Sequence, residues 1–174
     1  MKLPEPGTYN PFYQFYFNLV PQGDLMEIFM QQMDEFSEFI RSIPVDKLDF
    51  AYAPGKWTIR EAINHVSDTE RVYAYRSLVA ARMDNQTNLT SFDENAYALH
   101  ADVSNRSVDE LIADFRAVRQ SSVYLFKFLN DTQASFQAKN GNHVFTANGG
   151  LCFMIGHVIH HENVIKSRYL NIGD

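Results

Sequence analysis

The sequence predicts an all-α protein, a four-helix bundle with a long crossover connection between its second and third helices. Three observations carry that expectation. Three segments each open with a residue able to cap a helix, followed three positions later by Glu. Each segment then repeats its apolar residues at the helical period. No stretch alternates apolar and polar residues long enough for a sheet, which leaves room only for a short strand pair near Gly141 to Phe145.

The first helix opens at Asp24 with Glu27 and runs to about Ser42, its stripe being Leu25, Ile28, Phe29, Met33, Phe36 and Ile40. Pro44 ends it. Thr58 with Glu61 opens the second, where Ile59, Ala62, Ile63, Val66, Thr69, Val72, Tyr73, Leu78 and Val79 keep the period to about Met83. Ser107 with Glu110 opens the third, through Leu111, Ile112, Phe115, Val118, Val123, Phe126 and Leu129. The fourth spans about Ala147 to Leu170, with Asn148 as its expected start. Four amphipathic helices bury their stripes against one another. The link from Asp84 to Arg106 exceeds an ordinary helix–helix connection, so it either crosses over between parallel helices or covers one end of the bundle.

The chain reads as one domain, residues 1–174. Within it, residues 1–21 combine Pro4, Pro6, Pro11 and Pro21 with Phe12, Tyr13, Phe15, Tyr16 and Phe17. The prolines forbid a long helix while the aromatics require burial, so this segment is expected to pack on the bundle or on a second subunit. The 45% apolar content argues for a packed core. With 21 acidic against 15 basic residues, net charge −6, nothing draws the chain to nucleic acid or an anionic membrane. No apolar run approaches the ~20 residues of a membrane span, nor does the start resemble a signal peptide, so a cytoplasmic protein is expected. A single cysteine, Cys152, excludes an internal disulfide and any multi-cysteine zinc site.

Chemistry concentrates at Gly156-His157-Val158-Ile159-His160-His161. His157 and His161 lie one turn apart on one face of an apolar helix, where unpartnered rings would be costly. His65 sits on the inward stripe of the second helix, and with this pair it would place three imidazoles around one ion. Zinc suits such a site, and nickel, iron, manganese or copper also accept nitrogen ligands. A structural alternative is that each histidine is a hydrogen-bonded core residue. His160 points away from His161 and is assigned a supporting or solvent-facing place. Asp68, three residues after His65, is the candidate to orient a ligand or act as base, against an ion pair with Arg71. Tyr73, Tyr75 and Arg76 are candidate lining residues, and an inward Arg76 would require an anion. His100 and His143 are placed in solvated loops.

Other chemistries fall away. The chain has no Glu-x-x-His pair for a di-iron bundle, and His161-Glu162 lacks the second histidine of H-E-x-x-H. It lacks a phosphate-cradling Gly loop and a G-x-S-x-G elbow, and Cys152 lies in an apolar run that leaves a thiol inert.

The stretches Pro54-Gly55-Lys56-Trp57-Thr58-Ile59-Arg60-Glu61, Asn64-His65 through Arg71, Tyr75-Arg76 and Gly156-His157 with His160-His161 resemble the DinB/YfiT-like superfamily of bacterial metal-binding bundles. The resemblance implies a divalent metal, zinc or nickel, on His65, His157 and His161. It also implies homodimers, and a small-molecule reaction: S-transfer with a low-molecular-weight thiol as co-substrate, or metal-dependent hydrolysis. The alternatives are a non-catalytic metal-binding or stress-response protein whose ion braces the bundle, and a binding module in which the metal site has decayed.

Overall fold

The computed structural model describes residues 1–171. In chain order its elements are α1 (Gln14–Phe17), α2 (Leu25–Ser42), α3 (Ile59–Ala81), α4 (Glu94–His100), α5 (Val108–Lys127), α6 (Asp131–Ser135), β1 (Ala138–Asn140), β2 (His143–Phe145) and α7 (Ala147–Val164). The four long helices form the bundle. Asp24 caps α2 by accepting from the backbone of Met26 and Glu27, while Thr58–Glu61 and Ser107–Glu110 form reciprocal capping boxes on α3 and α5. The last helix begins differently from expectation. Thr146, not Asn148, caps α7 by accepting from Gly149, because β2 delivers the chain to position 146 in extended geometry. Beyond Val164 the helix continues as a wider π turn, Ile165–Tyr169.

In the bundle, α2 packs against α5 and α7, and α3 packs against the same two, so α2 and α3 lie across one diagonal and α5 and α7 across the other, while α3 and α5 are neighbours. Phe29 meets Phe126 at one end of the α2–α5 pair and Arg41 meets Asp109 at the other, which makes this pair antiparallel. Asn64 bonds Arg106 and Glu70 bonds Arg119, which makes α3 and α5 parallel. Parallel neighbours require the intervening chain to return along a helix of about 35 Å. That is the crossover: it carries α4 against α3 and buries Leu89, Ala98 and Val103. Covered by crossover, α5 and α7, α3 is buried on most of its circumference, and its buried side includes Arg76 and Ser77 while Leu78 of the expected stripe is exposed.

The α2 and α5 stripes also contain polar members that periodicity of apolar residues passes over. Arg119 is fully buried, its guanidinium bound to both Glu70 carboxylate oxygens, to the Phe29 carbonyl and to Gln32 Oε1. Gln32 in turn donates to the Ile155 carbonyl at 3.0 Å, so one network joins all four long helices. Val118, expected in the stripe, is only half-buried.

The N-terminal aromatics pack on the bundle. Tyr13 and Phe17 are buried, with Tyr13 against Phe153 and Tyr73. Contact with α7 is close enough that a Cβ at position 156 would collide with the Tyr16 carbonyl, which is why Gly156 stands there. The short hairpin pairs Ala138 with Phe145 and Asn140 with His143. No helix among the described residues is long and apolar enough to cross a membrane.

Candidate metal centre

His65 from α3 and His157 and His161 from α7 converge inside the bundle. The α3–α7 pair is antiparallel, so the middle of α3 faces the last turns of α7, and Tyr73 stacks on Phe153 at 3.9 Å below them. His65 Nε2 lies 3.2 Å from His157 Nε2, and His161 Nε2 lies 3.1 Å from His157 Nε2. All three ligating atoms fall within 4.8 Å of one another.

This arrangement cannot satisfy itself. Each imidazole nitrogen offers one hydrogen or one in-plane lone pair. Three nitrogens meeting at a point can form one good hydrogen bond, and the third atom is left over. A cation accepts all three lone pairs. Two imidazole nitrogens on one ion at 2.0–2.1 Å stand about 2.9–3.4 Å apart for bond angles between 90° and tetrahedral. The observed 3.1 and 3.2 Å separations fall inside that window.

Electrostatics agree with neutral rings. Burial pushes His65 down to about 4, with His160 adding to the effect. Burial also holds His157 and His161 well below the ordinary histidine value, the neighbouring imidazoles contributing further. Rings of low proton affinity in this pH range are free to ligate.

The surrounding side chains set the cluster's orientation. Trp57, just ahead of α3, packs its ring on His65 at 4.5 Å between centroids and lies 6.4 Å from His161. Thr69, one turn after His65, brings its hydroxyl to 3.3 Å from Nε2. Asp68 does not reach the histidines. It accepts from Asn64 at 2.8 Å and from Arg71 at 3.0 Å, so the ion pair with Arg71 is its place, and the base or orienting role expected of it has no contact to act through. Its 300° helical offset from His65 turns it toward the α5 side, where Arg71 also meets Asp114.

His160 stands outside the convergent trio, half-buried with its ring edge-on to Phe15 and Tyr16. His100 ends α4 and His143 lies in β2, not in loops as expected, though both are exposed. Cys152 is buried, its thiol pushed up to about 12 by burial, so it is unreactive as expected.

The cluster opens into a cavity of about 420 Å³. Its walls include Tyr13 and Tyr16 before the bundle, Trp57 ahead of α3, Tyr73 and Arg76 on α3, Phe92 and Glu94 in the crossover, Asn140 on β1 and Phe153 on α7. Tyr75, a candidate for this wall, is instead 55% exposed, since a step of one residue from Arg76 turns it outward. The sequence carried no signal for Phe92 and Glu94, because a connecting segment has no period to read. Burial and then Glu94 raise the Tyr16 hydroxyl above its ordinary value, so it stays protonated at neutral pH.

Known proteins resemble this chain in both fold and sequence. A protein of Oceanobacillus iheyensis, provisionally named a metal-dependent hydrolase, is 25% identical over 100 residues, which cover 58% of this chain. The chain spans 57% of that relative's length. YfiT of Bacillus subtilis, described as a probable metal-dependent hydrolase with an unusual four-helix bundle topology, superposes with a TM-score of 0.75 over 86% of each chain at 17% identity. A DinB-like protein of Bacillus subtilis, YjoA, superposes with a TM-score of 0.59 at 14% identity, covering 87% of this chain and 94% of its own. At those identities the two structures speak for the fold, which is the diagonal helical bundle described above. Residues 28–165, which contain all three converging histidines, match the DinB superfamily, and the chain belongs to it.

Proposed function

We propose that this protein is a metal-dependent enzyme acting on a small molecule, with His65, His157 and His161 holding one divalent cation through their Nε2 atoms. The observation that carries the reading is the convergence of three neutral imidazole nitrogens at the floor of an open cavity. Zinc or nickel suits an all-imidazole donor set. Such a cation supplies Lewis acidity, which makes a nucleophile of water or of a low-molecular-weight thiol at neutral pH.

The residues of the chain do the rest. Trp57 packs on the His65 ring and the Thr69 hydroxyl stands 3.4 Å from its Nδ1, the nitrogen left free when Nε2 ligates, and the aromatic walls exclude water from the bound molecule's body. Hydrolysis and thiol transfer share this machinery, and the relatives' descriptions favour hydrolysis. The cavity itself speaks against an ion that only braces the bundle, since bracing needs no access from outside. A homodimer is part of the same reading: Tyr75, Leu78, Tyr124 and Phe128 are exposed on the parallel pair α3 and α5.

Metal analysis of protein purified without a nickel column tests the assignment. One equivalent per chain is expected, abolished in His65→Ala, His157→Ala or His161→Ala and retained in His160→Ala. Full metal content in His157→Ala, or none in the unaltered protein, would overturn it. Light scattering should give twice the mass of the chain.

A further inference from the structure

Arg76 lies eleven residues after His65 on the inward side of α3, about 16 Å along the axis. It is 6% exposed and lines the histidine cavity. Its guanidinium lies over the Tyr73 ring, 4.8 Å from the centroid, and Nη2 donates to the Thr90 carbonyl. Tyr73 sits between Arg76 and His65 on the helix, so the cation is folded back toward the cluster. Arg60, Arg71, Arg106, Arg116 and Arg119 each bind a carboxylate, whereas Arg76 forms no ion pair among the described residues.

A guanidinium has five N–H donors and keeps its charge, and enclosing one without an anion is costly. Its remaining donors are not sealed in protein, which leaves the cavity as the place where they find an acceptor. Glu94 lines the same cavity but makes no ion pair with Arg76, and its field is felt at Tyr16. The cavity that Arg76 shares with the histidines is rich in aromatic side chains, Tyr13, Tyr16, Tyr73 and Phe153 among them, with Thr69, Ser91 and Asn140 as polar members of its lining.

We propose that Arg76 receives the carboxylate of the substrate, which is a small carboxylic acid with an apolar, aromatic-bodied frame that places its reacting bond toward the histidine cluster. The reacting end rests on the proposed function, while the anion site at Arg76 stands without it. A charge-assisted fork to a carboxylate is strong enough to favour an acid over its neutral amide by about tenfold or more.

The test uses 3-phenylpropionate and 3-phenylpropionamide, titrated into zinc-loaded and zinc-free protein. Fluorescence of Trp57 reports binding, because it is the sole tryptophan and borders the cavity. The acid should bind at least tenfold tighter than the amide in both forms, and Arg76→Met should bring the two within about twofold at unchanged zinc content. Arg76→Lys, which keeps the charge and loses the fork, should retain only part of the preference. If Arg76→Met does not fold by circular dichroism, an unchanged acid-to-amide ratio in Arg76→Lys overturns the proposal. So does equal binding of acid and amide, binding of neither, a preference that survives in Arg76→Met, or one present only with zinc. Absence of zinc binding with the acid preference intact would remove the metal reading and leave this one standing.

Discussion

Arg119 and His157 are both buried polar side chains facing the bundle interior, and their surroundings are opposite. The Arg119 guanidinium meets two carboxylate oxygens of Glu70, a carbonyl and an amide oxygen, all at 2.8–3.0 Å, and lies over Phe29. His157 Nε2 meets only two other imidazole nitrogens, at 3.1 and 3.2 Å. The first cluster is closed: donors and acceptors match. The second has like groups pointing at like and a cavity beside it. A saturated buried network specifies how helices pack, whereas an unsaturated one is costly until something else satisfies it. The two clusters share α3 and α7, so the first holds in place the helices that carry the second.

The contrast can be broken from either side. The largest effect is expected at the saturated cluster. Arg119→Met leaves Glu70 buried without a cation and should cost about 3–5 kcal/mol in urea unfolding, most of it recovered by adding Glu70→Leu. A single variant within about 1 kcal/mol of the parent would show that the network does not hold the helices.

At the open cluster, pH acts in the metal-free protein. The His65 pKa is about 4 folded against 6.5 unfolded, so between those values the unfolded chain binds more protons. Stability is therefore full above pH 6.5 and lost as pH falls toward 4, on the order of 3 kcal/mol from His65 alone. His157 and His161 shift in the same direction and steepen the loss. Urea unfolding of chelator-treated protein at pH 7 and pH 5 measures it, and equal stability at both would mean that the rings are not held neutral.

Gly156→Ala probes the wall between them. A Cβ there meets the Tyr16 carbonyl, so α1 must lift, at about 1–3 kcal/mol, against roughly 1 kcal/mol gained from helix propensity. Faster proteolysis within residues 1–21 should accompany the loss, and a more stable variant would show that α1 packs elsewhere. The smallest effect is expected at Asp68→Asn, which removes a partly exposed ion pair with Arg71: at most about 1 kcal/mol, with metal content unchanged. Loss of metal in this variant would restore Asp68 to the site.

Much of this was legible before the structure. Capping boxes at Thr58 and Ser107 are local chemistry, complete within four residues, so sequence placed those helix starts correctly. His157 and His161 share one helix, and their spacing alone put both rings on one face. The start of α7 was misplaced because Asn148 and Thr146 are both capable caps, and the choice rests on where the hairpin ends. For Asp68 the spacing left two places open, the histidines or Arg71: helix spacing gives an angular range, and Arg71 and Asn64 decided where in that range the carboxylate points.

The sequence by itself determined the helices, the inward histidines and the unusual length of the link between α3 and α5, because each follows from neighbours within a turn or from a count of residues; that this link is a crossover rests on the parallel packing of α3 and α5. Tertiary structure alone decided that α2 and α3 lie on one diagonal and α5 and α7 on the other, that Arg119 rather than Val118 faces the core, and that Tyr16, Phe92 and Arg76 share one cavity. Those are contacts between segments far apart in the chain, and nothing periodic in either segment names the other; only packing of the whole bundle brings them together.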